Sequence, residues 1–420
     1  MLDFAAILVT LTALLAWVNH KFLRLPSAIG VMGMALVLSL SLVGLGRLGF
    51  TSLTQQAERL VSSVDFTTVL MQGMLSLLLF AGALHVDLSD LVSRRHAIWV
   101  LATVGVVIST AIVGGAAWLV LDLVGLPVRL VDCFVFGALI SPTDPIAVMG
   151  ILKSARAPKG LEIKITGESL FNDGVGIVLF AVLLGLSQGT RPVSPGGVML
   201  LFVEEAAGGI LLGLVLGYLT YLLLRSIDRY QVEILLTLAL VMGGNALATK
   251  LHVSSPLAMV VAGLFIGNQG RLFAMSETTA RHVDTFWEMV DEILNAVLFV
   301  LIGLEVLALT FRPELLLASL LMIPVVLLAR FVAVGVPMKV LGRWRQYTPH
   351  AVKILTWAGL RGGISVALAL SIPPGPARQV FLPMTYVIVL FSILVQGLTL
   401  GALVRRTVGA PTQVRLPDQP

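Results

Sequence analysis

Apolar and polar residues do not alternate along this chain. The apolar residues run together in blocks of roughly twenty, the length an α-helix needs to cross a bilayer core about 30 Å thick. Thirteen blocks are predicted, at 4–19, 27–46, 66–86, 97–123, 129–152, 161–187, 196–224, 231–250, 255–269, 285–310, 315–338, 351–372 and 380–404. The block at 255–269 is short for a span. Lipid offers the backbone no hydrogen bonds, so such blocks are read as helices that satisfy their own amides. The expected fold is all-α and polytopic, one integral membrane domain over residues 1–420 with no separate soluble unit.

Composition agrees with that reading: hydrophobic residues make up 57%, charged residues 12%, and the mean hydropathy is +0.99. A net charge of +5 would suit nucleic acid, but the basic residues are distributed for a bilayer instead. With the N-terminus outside, nineteen of the 28 lysines and arginines fall in loops of the inner face and seven in outer loops. Arg330 and Arg361 remain, deep within spans. A miscounted span would invert every loop after it, so the positive-inside rule favours an outside N-terminus and a cytoplasmic C-terminus in a cell (inner) membrane. The first block carries its positive charges after the apolar run, the wrong polarity for a cleaved signal peptide. The single Cys133 permits no internal disulfide, and the six histidines fall at segment ends or in loops, against haem or a zinc protease helix. No phosphate-binding GxxxxGK[ST] loop is present, so no nucleotide-driven pump and no cofactor are expected.

An odd span count permits two six-helix repeats, spans 1–6 and 8–13, of inverted topology about span 7. Spans 5 and 12 then correspond, and both contain helix-disrupting residues. Span 5 carries Ser141-Pro142-Thr143-Asp144-Pro145 near its middle. Two prolines three apart remove donors and disfavour helix before them, unwinding about a turn. Such a break is tolerated at membrane depth only where it is buried or lines a wet cavity. Asp144 there suits either a cation site or the cap of the following half-helix. Span 12 carries Gly359-Leu360-Arg361-Gly362-Gly363, again a place for local unwinding.

Span 6 carries Glu168-Ser169-Leu170-Phe171-Asn172-Asp173. Helical spacing sorts these into two stripes, Ser169 with Asp173 and Glu168 with Asn172. Asp144, Glu168, Asp173, Arg330 and Arg361 would together cost on the order of 12–18 kcal/mol in lipid if uncompensated. Three acids against two arginines leave one carboxylate for a mobile cation or a proton. Either arginine could neutralise Glu168, with Arg330 favoured. Glu288, Asp291 and Glu292 at the expected cytoplasmic start of span 10 read either as a funnel drawing cations or as a solvated helix end.

Taken together, these motifs in this order resemble the cation:proton antiporter superfamily, specifically its bacterial sodium/proton exchanger (NhaP-like) branch, over essentially the whole chain. The resemblance implies a homodimer with spans 1–3 and 8–10 as dimer domain and spans 4–6 and 11–13 as ion-translocating core. It implies that broken helices 5 and 12 cross at the site. Asp173 would exchange Na⁺ and H⁺, completed by Thr143, Asp144 and Ser169 as oxygen ligands, with Glu168 and Arg330 as a structural pair and Arg361 a second structural cation. Asn172, where electrogenic relatives carry aspartate, would go with electroneutral exchange of one cation for one proton. The chain ends about fifteen residues after the last span, so the long regulatory tail of eukaryotic exchangers is not expected.

The expected activity is secondary antiport by alternating access, with no enzymatic step. Burial favours a protonated carboxyl and a bound cation favours the ionised one, so Na⁺ (or Li⁺) and H⁺ would exclude each other at Asp173. A K⁺/H⁺ antiporter or K⁺ efflux system remains a rival, because selectivity depends on fine cavity dimensions. A channel would conduct without coupled proton flux. A hydrolase using Ser169 lacks a suitable His or Lys base within the spans.

Overall fold

The structure is a computed structural model that describes residues 2–48, 69–155, 157–189, 195–308, 312–342 and 350–408. Among them every regular element is helical. In chain order they are α1 (Leu2–Val18), α2 (Ser27–Arg47), α3 (Leu75–Leu84), α4 (Leu88–Ser93), α5 (Arg95–Leu123), α6 (Leu130–Ile140), α7 (Ile146–Ser154) and α8 (Lys159–Ser187). There follow α9 (Pro195–Arg225), α10 (Tyr230–Leu251), α11 (Ser255–Phe265), α12 (Glu277–Glu305), α13 (Pro313–Gly342), α14 (Ala351–Trp357), α15 (Gly363–Ser371) and α16 (Pro376–Phe391). A π-helical stretch at Ser392–Gly397 carries α16 into α17 (Leu398–Val408).

Among the described residues, eight helices are long and apolar enough to cross a membrane, including Arg95–Leu123, Lys159–Ser187, Pro313–Val340 and the continuous run Pro376–Thr407. The other apolar blocks correspond to helices that are short (α3, α11), charged along one face (α12) or interrupted (α6 with α7, α14 with α15). The interruptions fall at Ser141–Pro145 and Ala358–Gly362, where paired prolines and a glycine cluster stood in the sequence.

Two expectations are corrected by helix ends. The Ser276 hydroxyl caps α12, accepting from the Thr279 amide at 3.3 Å, so α12 starts at Glu277 rather than near 285. Glu288, Asp291 and Glu292 therefore sit about three turns or more into the helix, not at its start. Lys164, counted with an inner loop, is in the second turn of α8 and buried. Asp132, in the first turn of α6, is buried, with Arg129 Nε 2.8 Å from its Oδ2 and the Ser187 hydroxyl donating to Oδ1. The loop residues Arg59, Arg156, Arg191, Arg343, Arg345 and Arg415 lie outside the described residues.

Packing places α3 against α11, α11 against α9 and α2 against α12, while α5 packs on both α6 and α13, and α13 on α16. Aromatic stacks mark the interiors: Phe136 and Phe381 at 5.1 Å between α6 and α16, Phe80 and Trp287 at 4.7 Å between α3 and α12. The α5–α6 contact is set by small residues, as membrane helices require when no hydrophobic effect drives them together. A Cβ on Gly137 would run into the Thr110 carbonyl and stand 3.0 Å from the Gly114 amide, both backbone atoms that cannot rotate away. This contact holds the first half of the broken span in place. Gly137→Val should lower the thermal unfolding midpoint in detergent, by the equivalent of about 1–3 kcal/mol of overpacking. Gly115→Ala on the same helix pair, facing open space, should leave it unchanged or raise it.

Candidate functional site

The two interruptions meet. After α6 ends, Ser141 to Pro145 run without helical hydrogen bonds, and their freed carbonyls need donors at membrane depth, where lipid offers none. Arg361, from the other interruption, supplies them: its Nη1 donates to the Ser141 carbonyl at 2.6 Å and to the Pro142 carbonyl at 2.9 Å. The return contact runs from the Asp144 amide to the Leu360 carbonyl at 2.8 Å. Arg361 is 1% exposed and does not reach an interface. Gly362 lets the strands of this crossing approach, since a Cβ there would strike the Asp144 carboxylate.

From α8, Ser169 and Asn172 hold Thr143. The Ser169 hydroxyl donates to the Thr143 carbonyl. Asn172 Oδ1 accepts from the Thr143 amide at 3.3 Å, and its Nδ2 donates to Thr143 Oγ1 at 2.8 Å. The predicted stripes are therefore redrawn: Asn172 acts with Ser169, three residues away, rather than with Glu168. The broken segment stands at the boundary between the two stripes and draws one residue from each.

Glu168 points elsewhere, to α13. Arg330 Nη2 donates to Glu168 Oε2 at 2.9 Å, while Nη1 binds Oε1, a two-pronged pair buried on both sides. Gly359 makes room for it, because a Cβ there would press on the Arg330 side chain. With Glu168 and Arg330 cancelling, Arg361 remains against Asp144 and Asp173. The net surplus is one negative charge. Asp173 is 3% exposed, and its Oδ1 has no hydrogen-bond partner among the described residues. It lies within electrostatic reach of Asp144, Arg361 and Glu168. This is a buried carboxylate within electrostatic reach of a second, on the same helix as the Ser169 and Asn172 side chains that hold Thr143, and such oxygens are donors of the kind a hard cation takes.

The acids of α12 divide. Glu288 and Glu292 are exposed, whereas Asp291 is partly buried, anchored by Asn295 Nδ2 at 3.1 Å and within electrostatic reach of Asp144 and His85. Only Asp291 of the three faces the site. Two polar residues that the sequence reading passed over also belong to the crossing: Ser392 and Gln396 of the π-helical stretch, four apart in an otherwise apolar run. Polar residues at that spacing within a span were the available signal.

Comparison with known proteins identifies the family. The family model "Sodium/hydrogen exchanger, transmembrane" matches residues 7–406. The chain belongs to the transmembrane sodium/hydrogen exchanger family. It is 54% identical over 410 residues to the Na(+)/H(+) antiporter NhaP of Pseudomonas aeruginosa, covering 97% of each chain. It is 35% identical to the Na(+)/H(+) antiporter NhaH of Halobacillus dabanensis, over 92% of this chain and 93% of that one. Among solved structures, the sodium proton antiporter MjNhaP1 from Methanocaldococcus jannaschii at pH 8 superposes with a TM-score of 0.76 at 18% identity, over 97% of this chain and 99% of that chain. That last likeness places the exchanger's helical fold over nearly the whole chain.

The buried pair gives a direct test. Arg330→Met alone leaves Glu168 charged and unpartnered, and should cost about 3–5 kcal/mol of stability. Replacing both residues by methionine should recover most of that loss in thermal unfolding.

Proposed function

We propose that this chain exchanges Na⁺ (or Li⁺) for H⁺ across a cell (inner) membrane, as a secondary antiporter with its N-terminus outside and C-terminus in the cytoplasm. The observation that carries the reading is Asp173, a buried carboxylate with an unpartnered oxygen beside the crossing of two broken helices. The NhaP and NhaH relatives, both Na(+)/H(+) antiporters, support it. Asp173 takes either a proton or a cation, since burial without a partner favours the neutral acid and an adjacent cation favours the carboxylate. Asp144, the Thr143 oxygens and the Ser169 hydroxyl complete the cation's shell.

Alternating access follows if the crossing moves as a body. The packing of α5, α6, α13 and α16 on one another supports a core of spans 4–6 and 11–13 moving against a scaffold of spans 1–3 and 8–10 that pairs in a homodimer. Thirteen spans in two inverted repeats fit the two interruptions at corresponding positions. Asp291 lies on the cytoplasmic approach, where its charge draws cations toward Asp144.

Asn172 supports a one-for-one electroneutral cycle. It spends its amide on Thr143 and cannot carry a second exchangeable proton, so the charge changing hands is that of Asp173.

In sealed proteoliposomes Asp173→Asn should abolish Na⁺-driven proton movement, and robust exchange by that variant would overturn the site. Exchange by the wild type should be indifferent to an imposed membrane potential; net charge movement would refute electroneutrality. A scan of Na⁺, Li⁺ and K⁺ across pH in the same vesicles distinguishes sodium from potassium exchange.

A further inference from the structure

The interruption between α14 and α15 is also gripped from the π-helical stretch Ser392–Gly397. Ser392 Oγ accepts from the Arg361 amide at 2.8 Å and donates to Gln396 Oε1 at 2.8 Å. Gln396 Nε2 in turn donates to the Trp357 carbonyl at 3.1 Å. Trp357 is the last residue of α14, and Arg361 stands two residues before α15. Two side chains thus bracket both ends of the break. Both are buried, and both sit in a π-helical stretch, a backbone form that recurs at functional positions.

A second observation lies beside the bracket. Arg361 Nε and Nη2 and Arg330 Nε are buried without a hydrogen-bond partner among the described residues. Leaving a charged donor unpaired in a dry interior is costly. Both arginines line a cavity of about 10 Å³, together with Thr356, Gly359 and Gln396 and with apolar side chains such as Ile323 and Phe391. That is close to the 10–15 Å³ or so one water needs, and such a water requires two to four polar partners. The lining supplies them: two arginines to donate, and the Thr356 hydroxyl and Gln396 Oε1 to accept.

We propose that Ser392 and Gln396, with one buried water between Arg330 and Arg361, are positioning elements of the cation site. They fix the backbone at Arg361 and the plane of its guanidinium. That guanidinium holds the Ser141 and Pro142 carbonyls, and so sets where Thr143 and Asp144 present their oxygens. Loss of the bracket lets the crossing shift by a few tenths of an ångström to an ångström or so, a scale on which positioned sites lose function. The water joins the Glu168–Arg330 pair to the crossing, giving the two halves of the core one shared hydrogen-bond network.

The inference rests on the exchange reading above, and its test separates the two. Ser392→Thr keeps a hydroxyl, whereas Ser392→Val has the same shape without one. In proteoliposomes Ser392→Thr should keep the apparent KM for Na⁺ within about twofold of wild type. Ser392→Val should raise it about three- to tenfold, the equivalent of one net hydrogen bond, with maximal rate and thermal midpoint little changed. Equal KM values for the two variants would overturn the positioning role. Should Ser392→Val not assemble, Thr356→Val against Thr356→Ser poses the same question at the water. A density map that resolves ordered water should show a peak between Arg330 and Arg361, and a map without one overturns the water. If wild type moves no protons with any cation, the exchange reading fails, while the density peak still decides the water.

Discussion

A polypeptide that unwinds inside a bilayer must find donors for carbonyls that its own helix no longer serves, and in this chain they come from a second unwound segment. Arg361 covers the Ser141 and Pro142 carbonyls, and Asp144 returns an amide to Leu360. Neither interruption could stand alone at membrane depth. The cationic side chain of one and the anionic residue of the other make the crossing close to neutral. Asp173 adds one further negative charge within electrostatic reach of it.

The rest of the core reads as support for that crossing. Glycines 114 and 137 bring α5 against α6, so the first half-helix arrives at a set depth. Ser169 and Asn172 tie the segment to α8, and the Glu168–Arg330 pair ties α8 to α13. A buried ion pair is a poor source of stability in itself, but breaking it is expensive, so it fixes register between helices that slide easily in lipid. Contrast α13, which contains Pro324 and Pro337 and stays helical. Prolines thirteen apart each forfeit one hydrogen bond, whereas Pro142 and Pro145 remove two within a turn and leave a segment that pays attention to outside partners only.

Much of this was legible in the residues. The apolar blocks, the broken segments at Pro142–Pro145 and Gly359–Gly363, and the intramembrane charges all follow from local composition and the cost of polar groups in lipid. What was misread was misread for local reasons. A serine cap lengthened α12 and moved its acids up the helix, and hydropathy averages over such caps. Lys164 is a charged residue that the fold buries, which a count of loop charges cannot register. Ser392 and Gln396 were overlooked because a serine and a glutamine barely alter the hydropathy of a span.

The sequence by itself determined that the chain lies in a membrane as helices, that two of its spans are interrupted, and that one carboxylate exceeds the available arginines. These are properties of segments and of charge totals, and they need no knowledge of neighbours. Only the tertiary structure decided which groups meet. It paired Glu168 with Arg330, set Arg361 on the carbonyls of the other break, and joined Asn172 to Ser169 at Thr143. Helical periodicity states which residues share a face, but partners separated by some 160 to 220 positions are chosen by how the helices pack.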